Sequence, residues 1–154
     1  MSVNIVKKNH SKQSAARLYA VQALFQMEVS KLSVTAITKE FINHRIGAKI
    51  GNTTYNNADI KLFQEILSKA VKEQRKIDIL TNNSLKDTWS LNRIDPTLRA
   101  LFRAAIAEIL IGKTPNKAVI NEFIDIAKAF FPSGREAKLV NGVLDSIIST
   151  GIGN

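Results

Sequence analysis

Cysteine is missing from all 154 residues of the chain. Its absence excludes a disulfide framework and a thiolate metal site, and it gives no reason to expect an oxidising compartment. Proline and glycine are also scarce, with three and seven residues, so little interrupts regular secondary structure. No apolar run approaches the roughly 20 residues that span a bilayer. These absences predict a cytoplasmic domain of regular structure without a membrane anchor.

Acidic residues are few in the first third of the chain. Residues 1–50 hold eight Lys or Arg and two Glu, so they carry +6 of the total net charge of +9. Such a concentration of positive charge attracts a polyanion. A solvated tail that aids solubility, or a basic and Ser-rich mitochondrial presequence, produces the same pattern. Charge alone leaves these interpretations open, and we expect residues 1–10 to form a flexible basic tail before one domain over residues 11–150.

Apolar residues recur at helical spacing along nearly all of the sequence, and no stretch alternates in the way typical of strands. The spacing predicts helices near residues 12–29, 34–42, 58–80, 96–111, 115–131 and 133–148, with a loop over residues 46–57. Within the longest of these helices, Glu65 and Lys69 are spaced for a surface ion pair. We therefore predict an all-α fold, a compact bundle of six or seven helices joined by short connections.

Capping signals mark the ends of the later helices. Asp95-Pro96 places a side-chain cap before a proline in the first helical position, and Gly112 follows the last apolar residue of that helix. Thr114-Pro115 repeats the order of cap and proline. Ser133 followed by Glu136 three residues later predicts a capping box at the start of the last helix.

Asn141 and Gly142 form a dipeptide that usually marks a hairpin turn. The apolar residues around it nevertheless recur on one helical face, which favours an uninterrupted helix. Glycine inside a helix costs about 1 kcal/mol relative to alanine, so the position needs a reason. We expect a neighbouring helix to approach closely at Gly142 and Asn141 to hydrogen-bond to that neighbour.

Residues that could carry catalysis do not form a recognisable site. The letters GKT at residues 112–114 resemble the end of a nucleotide-binding loop, but that motif requires glycine five residues before Gly112 and the chain has Ala107 there. His10 and His44 stand apart, with no second His or Cys at metal-ligand spacing. The sequence therefore predicts neither an enzyme nor a bound cofactor or metal.

Cations and aromatic rings occur in a combination that single-stranded RNA binding uses, since charges contact phosphates and rings stack on bases. Arg99 and Arg103 are four residues apart and share one helical face, while Tyr19 and Phe25 flank the basic N-terminal segment. Phe25 also fits a position in the core, and the arginine pair also fits an ordinary exposed face. The sequence therefore leaves open whether these residues bind RNA or have a structural role.

Four segments resemble the NusB family in their order and spacing: AVQALFQME, LRALFRAAIAEIL, TPNKAVINEFIDIAKAF and KLVNGVLDSI. The resemblance covers about residues 11–148. It implies an all-helical fold of two packed helical subdomains and a non-catalytic function in transcription antitermination. In that function the protein and NusE, a small-subunit ribosomal protein, bind single-stranded boxA RNA of nascent transcripts, notably from ribosomal RNA operons, and act on the transcribing RNA polymerase complex. The resemblance leaves monomer and homodimer open.

The resemblance also implies individual RNA contacts. Arg17 matches the end of an arginine-rich run, Phe25 a tyrosine near the RNA and partner surface, Arg103 the arginine of an LR pattern, and Lys138 the lysine before VNG. Arg135 stands where the family commonly has an acidic residue that limits RNA binding. We expect Arg17, Arg103 and Lys138 to lie along one continuous electropositive strip. The full predicted set is Lys7, Lys8, Lys12, Arg17, Phe25, Arg99, Arg103, Arg135 and Lys138.

The chain departs from the family pattern at several of these positions. KQSA at residues 12–15 replaces most of the arginine-rich run, and lysine lacks the fork geometry of arginine. Leu139 and Ala107 stand where the family usually has aromatic residues. Two alternatives therefore stay open: a protein-interaction scaffold with weakened or lost RNA binding, and an RNA-recruiting domain like those joined to ribosomal RNA methyltransferases. The second has no catalytic cysteine within this sequence.

Overall fold

Seven α-helices account for most of the computed structural model, which describes residues 11–50, 53, 54, 57–86 and 89–152. A two-stranded antiparallel ladder lies within the segment predicted as a loop. The all-α prediction is confirmed. The helices are α1 (Lys12–Ser30), α2 (Val34–His44), α3 (Ile60–Lys72), α4 (Gln74–Ser84), α5 (Pro96–Ile111), α6 (Asn116–Phe130) and α7 (Arg135–Ile148), and the strands are β1 (Lys49–Ile50) and β2 (Thr53–Thr54).

Helix α5 lies at the centre of the packing. It contacts α1, α3, α4, α6 and α7, and most of its residues are buried. A helix that is apolar around most of its circumference has to be covered on several sides. Helices α1, α2 and α3 pack against one another, α6 packs against α7, and α5 contacts members of both groups. None of the described helices combines the length and apolar character needed to cross a bilayer.

The predicted ends of α5 are confirmed. The Asp95 carboxylate accepts a hydrogen bond of 2.7 Å from the backbone N–H of Thr97, and Pro96 is the first helical residue. Gly112 ends the helix with a φ of 75°, a left-handed conformation in which glycine has no steric penalty.

Both of the later helix starts were predicted too early. Helix α6 begins at Asn116, because Pro115 occupies the cap position and no side chain caps the helix. Helix α7 begins at Arg135, after Gly134 turns the chain with a φ of 85°. The Ser133 hydroxyl consequently bonds to the Glu136 carboxylate at 3.1 Å, and the predicted capping box does not form.

The single long helix predicted over residues 58–80 is wrong. The chain breaks at Glu73, where φ is −106° and ψ is 18°, and resumes as α4. Helix α3 packs against α1 and α5, whereas α4 packs against α5 and α7, so the chain has to change direction between them. The predicted surface pair is also different, since Glu65 pairs with Lys113 Nζ at 2.7 Å.

Helix α7 runs through Asn141 and Gly142 without interruption, as predicted. The reason proposed for the glycine is wrong. Gly142 is exposed, and a Cβ atom added there would meet no heavy atom of the described residues within 4 Å. Asn141 is exposed as well. Packing inside the described part of the chain therefore does not require glycine at this position.

Candidate nucleic-acid interface

The structure places the predicted RNA contacts in different settings. Some are exposed, and others are half-buried or enclosed by carboxylates. Lys12, Arg135 and Lys138 are exposed; Arg17 is buried; Arg99, Arg103 and Phe25 are half-buried; Lys7 and Lys8 lie outside the described residues.

Arg17 lies inside the molecule, with a relative exposure of 6%. Its guanidinium donates two hydrogen bonds of 2.7 and 2.8 Å to the Glu108 carboxylate and one of 2.7 Å to Glu122. Burial disfavours the charged form of Arg17, but the hydrogen bonds and negative charges of Glu108 and Glu122 outweigh it and raise the pKa of Arg17 above its ordinary value. Arg17 therefore ties α1 to α5 and α6, and its guanidinium faces the interior.

Ser14 extends this network toward the start of α1. Its hydroxyl donates a hydrogen bond of 2.5 Å to the same oxygen of Glu122 that Arg17 contacts. The first turn of α1 is thus fixed to α6. Lys12, exposed in that turn, lies close to the beginning of α3, because its carbonyl accepts a hydrogen bond of 3.0 Å from the Asp59 N–H.

Arg99 and Arg103 share one face of α5, as their spacing predicts, but that face is covered by acidic residues. Arg103 donates to both oxygens of Asp78 on α4, at 3.0 and 2.9 Å. Arg99 pairs with Glu28 on α1 and donates to the Leu91 carbonyl at 2.8 Å. The two guanidinium groups therefore join α1, α4 and α5.

The predicted strip through Arg17, Arg103 and Lys138 is not formed as an exposed surface. Arg17 is buried, Arg103 is paired with Asp78, and Lys138 alone of the three is exposed. The cause is the position of three carboxylates, those of Glu108 on α5, Glu122 on α6 and Asp78 on α4. Each is distant in sequence from the arginine with which it pairs. Arg17 therefore has a structural role in place of the predicted contact with RNA.

A groove of about 760 Å³ runs beside α7, and the exposed cations Arg135 and Lys138 line it. We call it the α7 groove. The Cζ atom of Arg135 lies 5.3 Å from the centroid of the Trp89 ring, a cation–π arrangement. Lys86 and Lys138 also line the groove. Among the described residues, none of these three cations has a carboxylate within ion-pair distance.

The sequence predicted Arg135 and Lys138 but missed Trp89 and Lys86. Trp89 is the only tryptophan of the chain, and this was the one feature of the sequence that could have drawn attention to it. No local pattern connects it with the groove, because it lies between helices, about 50 residues before the helix whose groove it lines. Proximity of this kind depends on the packing of α4 against α7.

Phe25 lies in a second, smaller depression. This depression has a volume of about 200 Å³ and is lined by Gln22, Phe25, Gln26 and Arg45. The ring of Phe25 is half-buried and packs against the core. Arg45 donates a hydrogen bond of 3.2 Å to Gln26 and lies over the buried ring of Phe41. Phe25 therefore adjoins polar side chains and one cation, Arg45.

Taken together, the exposed groups favour binding to an anionic polymer that carries planar rings. Lysine and arginine contact phosphates, and aromatic or guanidinium planes stack on bases. No group of three or more His, Asp or Glu among the described residues could hold a metal ion.

The model of the NusB family matches residues 14–149. The chain belongs to the NusB family. A protein of Sinorhizobium fredii named transcription antitermination protein NusB is 45% identical over 141 residues, or 91% of this chain and 88% of that protein. One of Bartonella tribocorum with the same name is 43% identical over 91% of this chain and 90% of its own length. The resemblance predicted from four sequence segments is confirmed.

Solved structures of NusB have the same fold. T. maritima NusB is 28% identical to this chain, with a TM-score of 0.72 over 92% of this chain and 93% of that one. A crystal structure of the antitermination factors NusB and NusE in complex with double-stranded RNA gives a TM-score of 0.72 at 21% identity, covering 89% and 96%. The all-helical NusB fold is therefore confirmed.

Proposed function

We propose that this protein is a transcription antitermination factor that binds boxA-like RNA of nascent transcripts together with NusE. Membership of the NusB family and the shared name of its relatives support this function. The related structure that contains NusB, NusE and RNA supports both partners. Through them the protein acts on the transcribing RNA polymerase complex, notably in ribosomal RNA operons. It works by binding in the cytoplasm and catalyses no reaction.

The α7 groove carries the RNA-binding part of this proposal. Arg135, Lys138 and Lys86 are exposed cations along one groove and have no carboxylate partners among the described residues. Counterions released from RNA phosphates make such contacts favourable at low salt. Lys12, at the exposed start of α1, adds a further charge, and Lys7 and Lys8 of the basic segment outside the described residues add two more.

Arg99, Arg103 and Phe25 belong to the proposed RNA surface in a weaker sense. Their side chains are half-buried, and the arginines already have carboxylate partners. Any contact that the two arginines make with RNA therefore has to compete with their pairing to Glu28 and Asp78. We expect each to contribute less to RNA affinity than Arg135 or Lys138.

The test is a titration of fluorescently labelled boxA RNA with the protein, in the presence and absence of NusE. We expect tighter binding when NusE is added and a steep loss of affinity as salt rises. A scrambled RNA of the same length is one control. A boxA duplex is the other, because the related complex contains double-stranded RNA. Equal affinity for boxA and scrambled RNA with NusE present would contradict the proposal.

The burial of Arg17 favours one alternative, a protein-interaction scaffold that has lost RNA binding. The family's arginine-rich run is reduced here to KQSA followed by Ala16 and Arg17, and the remaining arginine faces inward. The same titration decides between the two. A scaffold binds NusE, but adding the protein to NusE does not increase the affinity for boxA RNA.

A further inference from the structure

Gly142 is a helical glycine that the packing of the chain leaves unexplained. It is exposed in the middle of α7, and an added Cβ atom would contact none of the described heavy atoms within 4 Å. Alanine at this position would therefore fit the protein itself and would favour the helix. The absence of a side chain leaves open space on the outer surface of α7.

That open space lies in the α7 groove. Lys138, Leu139, Gly142 and Ser146 all line the groove, and their spacing of three or four residues places them along one face of α7. Gly142 is thus a gap in a row of side chains. The groove volume of about 760 Å³ lies within the range of about 300–1,000 Å³ that is common for ligand-binding clefts.

Trp89 also lines the groove and indicates the shape of a suitable ligand. Its ring is half-buried and carries the guanidinium of Arg135 on one face. A guanidinium held in this way offers a flat, cationic surface on which a second planar group can stack. Lys86 and Lys138 are close enough to line the same groove, where Asp145 is the one carboxylate among the described lining residues.

We infer that the α7 groove receives one unpaired nucleobase of the bound RNA, which lies over the backbone at Gly142 and stacks against the Trp89–Arg135 pair. Lys138 and Lys86 contact the phosphates on either side. The inference rests on the RNA binding proposed above and adds what the groove recognises: a planar base, in addition to backbone charge. Gly142 and Trp89 then contribute to specificity, although neither is charged.

Trp89 allows a direct test because it is the only tryptophan in the protein. A base stacked against the Trp89–Arg135 pair should quench the fluorescence of Trp89. The probe is boxA RNA with NusE present, any tryptophan of NusE having been replaced by phenylalanine. Total binding is followed separately through the anisotropy of a label at the end of the RNA, so the proposed function and this inference have separate readouts.

A set of RNAs with one abasic position each identifies the base. We expect one position at which removing the base lowers affinity about tenfold, equivalent to about 1.4 kcal/mol, and abolishes the quenching. Binding by anisotropy with no quenching at any position would overturn the inference and leave the proposed function intact. If boxA RNA does not bind at all with NusE present, both fail together.

The matched variants are Gly142→Leu and Asn141→Leu. Both add an aliphatic side chain to the exposed surface of α7, but only Gly142 lines the groove. We expect Gly142→Leu to lose about tenfold in RNA affinity and to lose the quenching, and Asn141→Leu to behave as the unchanged protein. Equal behaviour of the two would contradict the inference. Loss of NusE binding by Gly142→Leu would overturn it too, by assigning the groove to the protein partner.

Arg135→Lys separates stacking from charge. Lysine keeps the positive charge but has no plane on which a base can stack. Because Arg135 is exposed, the change should leave folding intact. We expect a loss of about fivefold in affinity and weaker quenching. An affinity equal to that of the unchanged protein would show that Arg135 acts as a point charge and would refute the stacked base.

Discussion

Arginine has opposite roles in two regions of this molecule. Where α1, α4 and α6 pack against α5, Arg17, Arg99 and Arg103 all have carboxylate partners, and their side chains are only 7%, 12% and 14% exposed. We call this region the arginine junction. In the α7 groove, Arg135 is exposed, lies over Trp89, and has no carboxylate partner among the described residues. The position of the acidic residues decides which arginines stay available to a ligand.

The largest expected effect comes from Arg17→Met in the arginine junction. This change leaves Glu108, which is 1% exposed, buried without its partner. Removing one member of a buried pair costs about 3–5 kcal/mol. Urea unfolding should therefore show a loss of this size. In the double variant Arg17→Met and Glu108→Leu most of the stability should return, because the one carboxylate that still lacks its arginine, Glu122, is 30% exposed and keeps the hydrogen bond from Ser14.

A loss below about 1 kcal/mol in Arg17→Met would contradict this role. The pH dependence is a further check. The pKa of Arg17 is raised in the folded protein, so its contribution to stability is complete below the pKa of the unfolded chain and is lost only as pH rises through the still higher pKa of the folded protein. We therefore expect this contribution to be constant between about pH 6 and 9.

Arg103→Ala should have an intermediate effect on stability and little effect on RNA. It removes two hydrogen bonds to Asp78, whose carboxylate is partly buried. Hydrogen bonds to charged groups contribute about 1.5–3 kcal/mol, and we expect the free energy of unfolding to fall by that amount. The control is Lys113→Ala, which breaks the more exposed pair with Glu65 and should cost at most about 1 kcal/mol. A tenfold loss of RNA affinity in Arg103→Ala would contradict the assignment of Arg103 to a mainly structural role.

Combined replacement of Arg135 and Lys138 by alanine should change the salt dependence of RNA binding without changing stability. Each phosphate contact on a single strand contributes about 0.7 to the slope of log affinity against log salt concentration. The slope should therefore become shallower by about 1.4. Lys117 and Lys128, exposed on α6 and outside the groove, provide a control variant with the same loss of charge. An equal change of slope in the control would indicate diffuse attraction only.

Gly142→Ala should produce the smallest effect, and it has the opposite sign. Alanine favours the helix, and no described atom obstructs its Cβ. We expect the free energy of unfolding to rise by about 0.5–1 kcal/mol, measured by thermal or urea unfolding. A loss of stability would mean that Gly142 is constrained by a contact within the protein, and the reason given for the open groove would be wrong.

Local signals predicted the helical elements well. Asp95, Pro96 and Gly112 act within one or two turns of their own helix, so the sequence contains all the information that sets the ends of α5. The break at Glu73 has no such signal. Neither proline nor glycine is present there, and the break follows from the different packing partners of α3 and α4.

The candidate site was harder to predict because its character depends on distant residues. Arg17 meets carboxylates that lie 91 and 105 positions away in the sequence. No pattern around Arg17 reveals that they will surround it. The same holds for Trp89, which lies beside Arg135 only because the chain folds α7 onto α4. Arg135 and Lys138 were predicted through the family resemblance, and they stay available because no described carboxylate lies within ion-pair distance of either.

One paired measurement tests most directly whether the two regions differ as described. Affinity for boxA RNA with NusE present is compared at one salt concentration for two double variants, Arg135→Ala with Lys138→Ala and Arg99→Ala with Arg103→Ala, each corrected for the folded fraction. We predict a loss of at least about tenfold, or about 1.4 kcal/mol, for the groove variant and less than about twofold for the junction variant. The reverse order would contradict the account.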